Sequence, residues 1–276
     1  MSYKRVLTIQ DISCFGQCSL TVALPIISAC GVETVILPSA VLSTHTAGFK
    51  DFTVTDLSKD IPKIAEHWKK EEIKFDCVYT GYLGSCEQID YVLDIFSSLT
   101  RENALKIVDP AMADNGKLYP AFDMEYANSM KRLCAEADIV VPNITEACFL
   151  TDTEYKTEYD EKYIISLLEK LTELGAKSIV LTGVGYSTDK TGVCVYENNK
   201  LSYYEHNRNK RSSHGTGDIY ASAFVGSLMN GKSLFDSAKI AADYTLKCIE
   251  NTVNDDSHWY GVKFETALCY LIEKLK

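Results

Sequence analysis

Cys77-Val78-Tyr79-Thr80, followed by Cys86 through Ser98 and then Lys106-Ile107-Val108, decides the fold class. A short run of β-forming residues leads into an amphipathic helical segment and back into a β-branched run, the pattern of a parallel β-α-β unit. The same alternation extends along most of the chain. Candidate strands are 6–9, 34–37, 77–80, 106–108, 139–141 and 178–182. Candidate helices are 19–29, 60–72, 86–98, 124–135, 161–174, 219–230, 234–249 and 264–275. Two strand-like runs between Val193 and Tyr204 flank Glu197-Asn198-Asn199-Lys200, a hairpin signal. The expectation is a three-layer α/β/α domain with a mainly parallel central sheet. No linker, charge block or repeat divides the chain, so residues 1–276 read as one domain. In such sheets ligands bind at the carboxyl ends of the strands, so those ends hold the candidate functional residues.

Composition narrows the partners. The chain has 276 residues, 46% hydrophobic and 24% charged, with 28 basic against 38 acidic side chains for a net charge of −10. So acidic a surface disfavours nucleic acid and anionic membranes. The short basic cluster Arg208-Asn209-Lys210-Arg211 reads as a solvated loop. Ten cysteines form no Cys-x-x-Cys pair and sit mostly inside apolar runs, which points to a reducing cytoplasm and no structural zinc. The N-terminal residues carry no signal-peptide pattern. From Ile12 to Val32 there are 21 residues without a charge. Gly16, Gln17, Ser19, Pro25 and Gly31 interrupt them, so a loop and a buried helix fit better than a membrane span.

Three motif matches fail on context. Gly226 through Ser233 satisfies G-x-x-x-x-G-K-[ST], but it follows a helical rather than a strand pattern. Asn230-Gly231 reads as a helix end and Ser233 as the next helix's N-cap. Asn143-Ile144-Thr145 is a glycosylation sequon without consequence in the cytoplasm. Gly183-Val184-Gly185 lacks the third glycine of a dinucleotide fingerprint.

His214-Gly215-Thr216-Gly217-Asp218 is different, because it opens a helix. Small residues there expose first-turn amides at the positive end of the helix dipole, a site for a phosphoryl group. A carboxylate at Asp218 is poorly suited to binding phosphate and well suited to taking a proton from an attacking hydroxyl. Asp109 follows one candidate strand, and Asn143 and Glu146 follow another. Their oxygens suit hydrated Mg2+ shared with a nucleotide triphosphate, although Asp or Asn after a strand is also an ordinary helix cap.

These elements resemble the ribokinase-like small-molecule kinases, and among them most closely the pyridoxal (vitamin B6) kinases. Gly215-Thr216-Gly217-Asp218 is similar to that family's anion hole and catalytic Asp, and Asn143-Ile144-Thr145-Glu146 to its Asn-x-x-Glu motif. Asp109-Pro110-Ala111-Met112-Ala113-Asp114-Asn115-Gly116 resembles its Asp-Pro-Val-Met-Gly-Asp-Asn-Gly segment. Ile9-Gln10-Asp11, Ser43-Thr44-His45-Thr46 and Thr80-Gly81-Tyr82-Leu83-Gly84 resemble segments that surround the pyridine ring in pyridoxal kinases. The resemblance spans nearly the whole chain. It implies an ATP-dependent kinase acting on the 5′-hydroxymethyl group of a B6 vitamer, with Asp218 as base and Gly215, Thr216 and Gly217 as anion hole. It further implies ATP contacts from Asp109, Asn143, Glu146, Thr182 and Gly183, and Mg2+ held through water by Asp109 and Glu146. Substrate contacts fall on Asp11, His45, Thr46 and Tyr82. A monovalent cation such as K+ and a homodimer are implied by the relatives alone. The alternatives are a kinase of hydroxymethylpyrimidine or a similar heterocycle, and a non-catalytic vitamin- or nucleotide-binding protein.

Departures from the family pattern are local. Asp11 stands where several pyridoxal kinases carry Ser, which bears on the ring nitrogen or 3-hydroxyl and could favour an amine-bearing substrate such as pyridoxamine. Ala111 and Ala113 replace Val and Gly. Hydroxymethylpyrimidine kinases often carry Cys at the position of Asp218. The N-terminal half offers no insertion for the β-sheet lid of sugar and adenosine kinases.

Overall fold

A computed structural model describes residues 3–209 and 214–276, so Lys210 and Arg211 of the basic cluster lie outside the described residues. The strands are β1 (Arg5–Ser13), β2 (Glu33–Leu42), β3 (Val54–Asp56), β4 (Phe75–Thr80), β5 (Thr100–Val108), β6 (Ala113–Asp114), β7 (Lys117–Leu118), β8 (Ile139–Val140), β9 (Ser178–Val184), β10 (Lys190–Glu197) and β11 (Lys200–Asn207). The helices are α1 (Leu20–Ala29), α2 (Ile61–Lys70), α3 (Cys86–Ser98), α4 (Met124–Ala135), α5 (Ile144–Leu150), α6 (Glu161–Leu174), α7 (Thr216–Met229), α8 (Leu234–Glu250) and α9 (Leu268–Leu275). A 3-10 turn at Phe264–Ala267 leads into α9, where sequence periodicity suggested one continuous helix. The chain divides into two compact units, Met1–Lys63 with Asn209–Lys276, and Ile64–Arg208.

In the first unit β1 pairs in parallel with β2, in register from Arg5 opposite Glu33. The register slips between Gln10 and Ile12, so β1 is irregular at Asp11. The short strand β3 adds antiparallel to the far side of β2. Helix α1 packs on β1, β2 and α7, burying Val22, Ile26 and Ile27 with Val6, Leu7 and Ile9. Close helix approach demands Gly226, because a Cβ there would lie 2.4 Å from Cys30 Sγ. The phosphate-loop pattern is therefore a helix contact: Asn230 caps α7, Gly231 adopts φ +83°, and the Ser233 hydroxyl accepts from the Asp236 amide at 3.1 Å.

In the second unit β4, β5, β8 and β9 pair in parallel in that spatial order, and β10 and β11 extend the edge as an antiparallel hairpin. Its turn residues Asn198 and Asn199 both hold positive φ, the backbone that Asn tolerates in a two-residue hairpin. Phe75, Tyr79, Ile107, Val180 and Leu181 on the strands, and Ile95, Met130, Leu133 and Leu167 on the helices, form its core. Side chains start the helices: Ser85, Asp123 and Asp160 accept from the amides of Gln88, Tyr126 and Tyr163. The β6–β7 hairpin and the seven-residue α5 escaped the sequence pattern, as did β3 in the first unit. All are too short to show periodicity.

Candidate active site

Two groups of side chains concentrate the polar chemistry, one in each unit. In the first unit α7 begins at Gly215, whose φ of +75° turns the chain into the helix. A Cβ there would meet the Gln17 carbonyl at 3.1 Å and Cys18 Sγ at 3.2 Å, whereas nothing lies within 4 Å of a Cβ at Gly217. The first-turn amides therefore open onto space suited to an anion. Asp218 stands in that turn, with its Oδ2 accepting the Ser19 amide at 3.0 Å. Burial pushes its carboxyl up to about 6, against the Ser19 amide, which lowers it; the charge on Asp11 adds to the rise. A carboxylate of that basicity can hold a proton briefly and release it near neutral pH, as a general base must.

Asp11 is itself buried, and its Oδ2 accepts the Ser13 hydroxyl at 3.0 Å. Burial raises its proton affinity, while the Ser19 and Ser13 hydroxyls and its own amide oppose the rise. His45 is also buried, and both ring nitrogens are committed to backbone. Nε2 donates to the Tyr260 carbonyl at 2.7 Å, and Nδ1 accepts the Ala47 amide at 3.1 Å. That pairing fixes the neutral tautomer, and burial lowers the affinity for a second proton. His45 therefore offers its ring rather than its nitrogens. Phe49 lies 4.9 Å from that ring, Trp259 4.8 Å from Phe49, and Tyr260 4.7 Å from Phe15. Phe15 and Trp259 remain 51% and 47% exposed, so these aromatics form an apolar wall of the kind that stacks on a flat heterocycle. Thr46 is exposed next to them.

The loop joining β1 to α1 makes this arrangement possible. Gly16 adopts φ +101°, and a Cβ there would sit 2.3 Å from His45 Cδ2. Gln17 and Ser19 hold φ of +44° and +56°, concentrating backbone strain in one short loop. Ser13, Gly16, Ser19 and Tyr260 were not among the candidate site residues read from sequence, where Gly16 and Ser19 counted only as interruptions of the uncharged stretch. Ser19 has a recognisable signal, a serine at a helix start, but that signal points to capping rather than to Asp218.

The second group surrounds the N-terminus of α5. Asn143 Oδ1 accepts the Glu146 amide at 2.9 Å, and Glu146 Oε2 accepts the Asn143 amide at 2.8 Å, a reciprocal capping box. Glu146 Oε1 accepts the Met112 amide at 3.2 Å, and Asn143 Nδ2 donates to the Ala113 carbonyl at 2.8 Å. Together they staple the 112–116 segment to the helix, helped by the Gly116 amide on Thr145 Oγ1 at 3.0 Å. Burial pushes the Glu146 carboxyl up to about 7 against three backbone amides. Asp109 is buried at the end of β5, its amide donating to the Thr80 carbonyl at 3.0 Å. Tyr82, two residues beyond β4, places its ring 5.3 Å from that of Phe122. Thr182 Oγ1 donates to the Pro142 carbonyl at 3.3 Å, and Gly183 is exposed with φ +76°.

Asp109, Asn143 and Glu146 present the all-oxygen donor set that Mg2+ prefers. Both Glu146 oxygens already hold amides, which suits contact through water. Among the described residues no cluster of three or more His, Cys, Asp or Glu side chains forms a protein-only metal cage. All ten cysteines are free thiols, and no helix among the described residues is long and apolar enough to cross a membrane.

The chain is similar over its whole length to proteins of known structure. A Bacteroides thetaiotaomicron protein classed with the phosphomethylpyrimidine kinases, crystallised with pyridoxal, is 35% identical, with 98% of this chain and 96% of that one covered and a TM-score of 0.91. Pyridoxal kinase from Lactobacillus plantarum is 29% identical, with 99% and 98% covered and a TM-score of 0.91. The hydroxymethylpyrimidine/phosphomethylpyrimidine kinase of Bacillus subtilis is 24% identical over 249 residues, 89% of this chain and 82% of that protein. The phosphomethylpyrimidine kinase family model matches residues 21–262. With an α/β fold, a mainly parallel sheet and relatives on both the pyridoxal and the hydroxymethylpyrimidine side, this chain belongs to the phosphomethylpyrimidine kinase family of ribokinase-like small-molecule kinases.

Proposed function

We propose that this kinase transfers the γ-phosphoryl group of ATP to the 5′-hydroxymethyl group of a vitamin B6 vitamer, acting as a single kinase domain in the cytoplasm and as a homodimer. The observation that carries this assignment is Asp218: a carboxylate at the start of α7, held by the Ser19 amide and pushed by burial up to about 6. Asp218 takes the proton of the attacking hydroxyl, and the Gly215–Gly217 amides stabilise charge on the phosphoryl group in flight. Asp109, Asn143 and Glu146 hold the nucleotide, with Mg2+ contacted through water and K+ as a further candidate cation. Bound Mg2+ supplies charge neutralisation of the phosphates. Thr182 and Gly183 contact the nucleotide. The ring of the vitamer stacks on the aromatic wall, with Asp11, His45, Thr46 and Tyr82 as its contacts.

Phosphorylation of hydroxymethylpyrimidine is the second reading, supported by the Bacillus subtilis relative. Turnover with MgATP on pyridoxal, pyridoxine, pyridoxamine and hydroxymethylpyrimidine separates the possibilities. The expected outcome is the highest kcat/KM on a B6 vitamer. A preference for hydroxymethylpyrimidine moves the assignment to that branch, and binding of vitamer and nucleotide without turnover makes the protein a binding module.

A further inference from the structure

Between α8 and the 3-10 turn, residues 251–263 form a strap folded around one carboxylate, that of Asp255. Its Oδ1 accepts the Ser257 amide at 3.0 Å and the Ser257 hydroxyl at 2.5 Å, and its Oδ2 accepts Lys263 Nζ at 2.6 Å. The Asp255 carbonyl accepts the His258 amide at 3.2 Å, and its own amide donates to the Thr252 carbonyl at 2.9 Å. Buried Thr252 closes the base of the strap: its hydroxyl donates to the Cys248 carbonyl at 2.8 Å and accepts the Lys263 amide at 2.9 Å. Thus closed, the strap carries Trp259 and Tyr260 to the segment after β2. The Tyr260 carbonyl takes His45 Nε2 at 2.7 Å. Trp259 lies on Gly48, where φ is +85° and a Cβ would meet Cζ3 of the indole at 2.8 Å.

We propose that Trp259 is a specificity-determining residue that receives the substrate's heterocycle on its indole, and that Asp255 is a positioning residue acting through Trp259 by fixing the strap. Trp259 rests on Gly48 and has Phe49 4.8 Å away, yet it stays 47% exposed. An anchored indole left half open to water is apolar surface held ready for a partner. Its position names the kind of partner. Ring contacts run from Trp259 to Phe49, from Phe49 to His45 at 4.9 Å, and from His45 to His214 at 5.8 Å, the residue before the Gly215 turn. The open indole therefore belongs to the aromatic group that reaches the anion-binding turn. Indole is also the side chain whose π face best attracts an electron-poor ring, so a flat nitrogen heterocycle fits it. From Asn254 to His258 the strap is polar throughout, which leaves ring contact to Trp259 and Tyr260. Asp255, Ser257 and Lys263 shape the backbone that holds them.

This inference rests on the kinase reading above, so binding is measured apart from turnover. Pyridoxine, hydroxymethylpyrimidine and MgATP are titrated calorimetrically into the unmodified protein, Trp259→Ala, Trp259→Phe, Asp255→Asn and the double variant Asp255→Asn/Trp259→Ala. Trp259→Ala is expected to weaken pyridoxine about three- to tenfold, the worth of one aromatic pair. Trp259→Phe should keep most of the affinity, and MgATP should bind equally in all five proteins. Asp255→Asn should weaken pyridoxine while the indole is present and add nothing once it is gone, because its effect passes through that ring. The chain has two tryptophans, so in a Trp68→Phe background Asp255→Asn should shift the remaining emission to the red. Unchanged pyridoxine affinity in Trp259→Ala overturns the proposal. An equal loss from Asp255→Asn with and without Trp259, or an equal loss of MgATP, overturns the positioning role. A protein that binds hydroxymethylpyrimidine through Trp259 and no pyridoxine retains the strap's role and removes the B6 assignment. Binding of neither heterocycle overturns both.

Discussion

Replacing Gly16 by alanine tests how the β1–α1 loop shapes the pocket. Two separate costs follow from its geometry. The backbone at φ +101° is a conformation that L side chains avoid, worth about 1–2 kcal/mol. The new Cβ would also sit 2.3 Å from His45 Cδ2 and 2.7 Å from Nε2. That ring cannot yield cheaply, because Nε2 is held by the Tyr260 carbonyl and Nδ1 by the Ala47 amide. Forcing extra atoms into such packing costs about 1–3 kcal/mol. Gly16→Ala should therefore destabilise the protein by about 2–5 kcal/mol in urea unfolding. In a His45→Ala background the ring is gone and only the backbone cost of about 1–2 kcal/mol should remain. A double-mutant cycle of Gly16→Ala, His45→Ala and the pair measures the difference. A coupling energy near zero would show that His45 does not press on Gly16 and would refute the steric account. Turnover in Gly16→Ala should fall as well, since the displaced ring belongs to the aromatic wall.

Four other outcomes follow from the two polar groups. Asp218→Asn should lower kcat by about 10²–10⁴-fold while nucleotide binding by titration calorimetry is retained. In the unmodified enzyme kcat should rise with pH through an acid limb near 6, because Asp218 must lose its proton to act as base. The same group works oppositely on stability: its folded proton affinity is raised, so the native state binds more protons between about pH 4 and 6 and its contribution falls as pH rises through that window. Denaturant melts of Asp218→Asn across that range should show a flatter pH dependence. Glu146→Gln should cost about 2–3 kcal/mol, since the amide NH2 would face a backbone donor that the carboxylate now satisfies. Hydrogen exchange at the amides of Met112 and Asn143 should quicken in that variant, and unchanged protection would remove Glu146 from its stapling role.

Much of the architecture was legible from local chemistry. Helices α3, α4 and α6 begin and end where the sequence placed them, because each follows a Ser or Asp that accepts an N-terminal amide. The Asn198-Asn199 turn and the end of α7 at Asn230-Gly231 were equally readable, since few residues tolerate those backbones. Short elements were not: α5 and the β6–β7 hairpin carry no period, and the 3-10 turn before α9 breaks none. Among the site residues, Asp218 and its glycine turn stood out by residue type at a helix start.

Sequence by itself determined the β-α alternation, the rejection of the phosphate-loop match and the presence of acids at element ends, because each depends on neighbours a few positions away. Only the tertiary structure decided what those side chains do with their hydrogen bonds. It committed both nitrogens of His45 to the backbones of residues 47 and 260, both oxygens of Glu146 to backbone amides, and Ser19 to Asp218 across 199 positions. The physical reason is that a buried polar atom must find a partner, and which partner lies within about 3 Å is set by how distant segments pack.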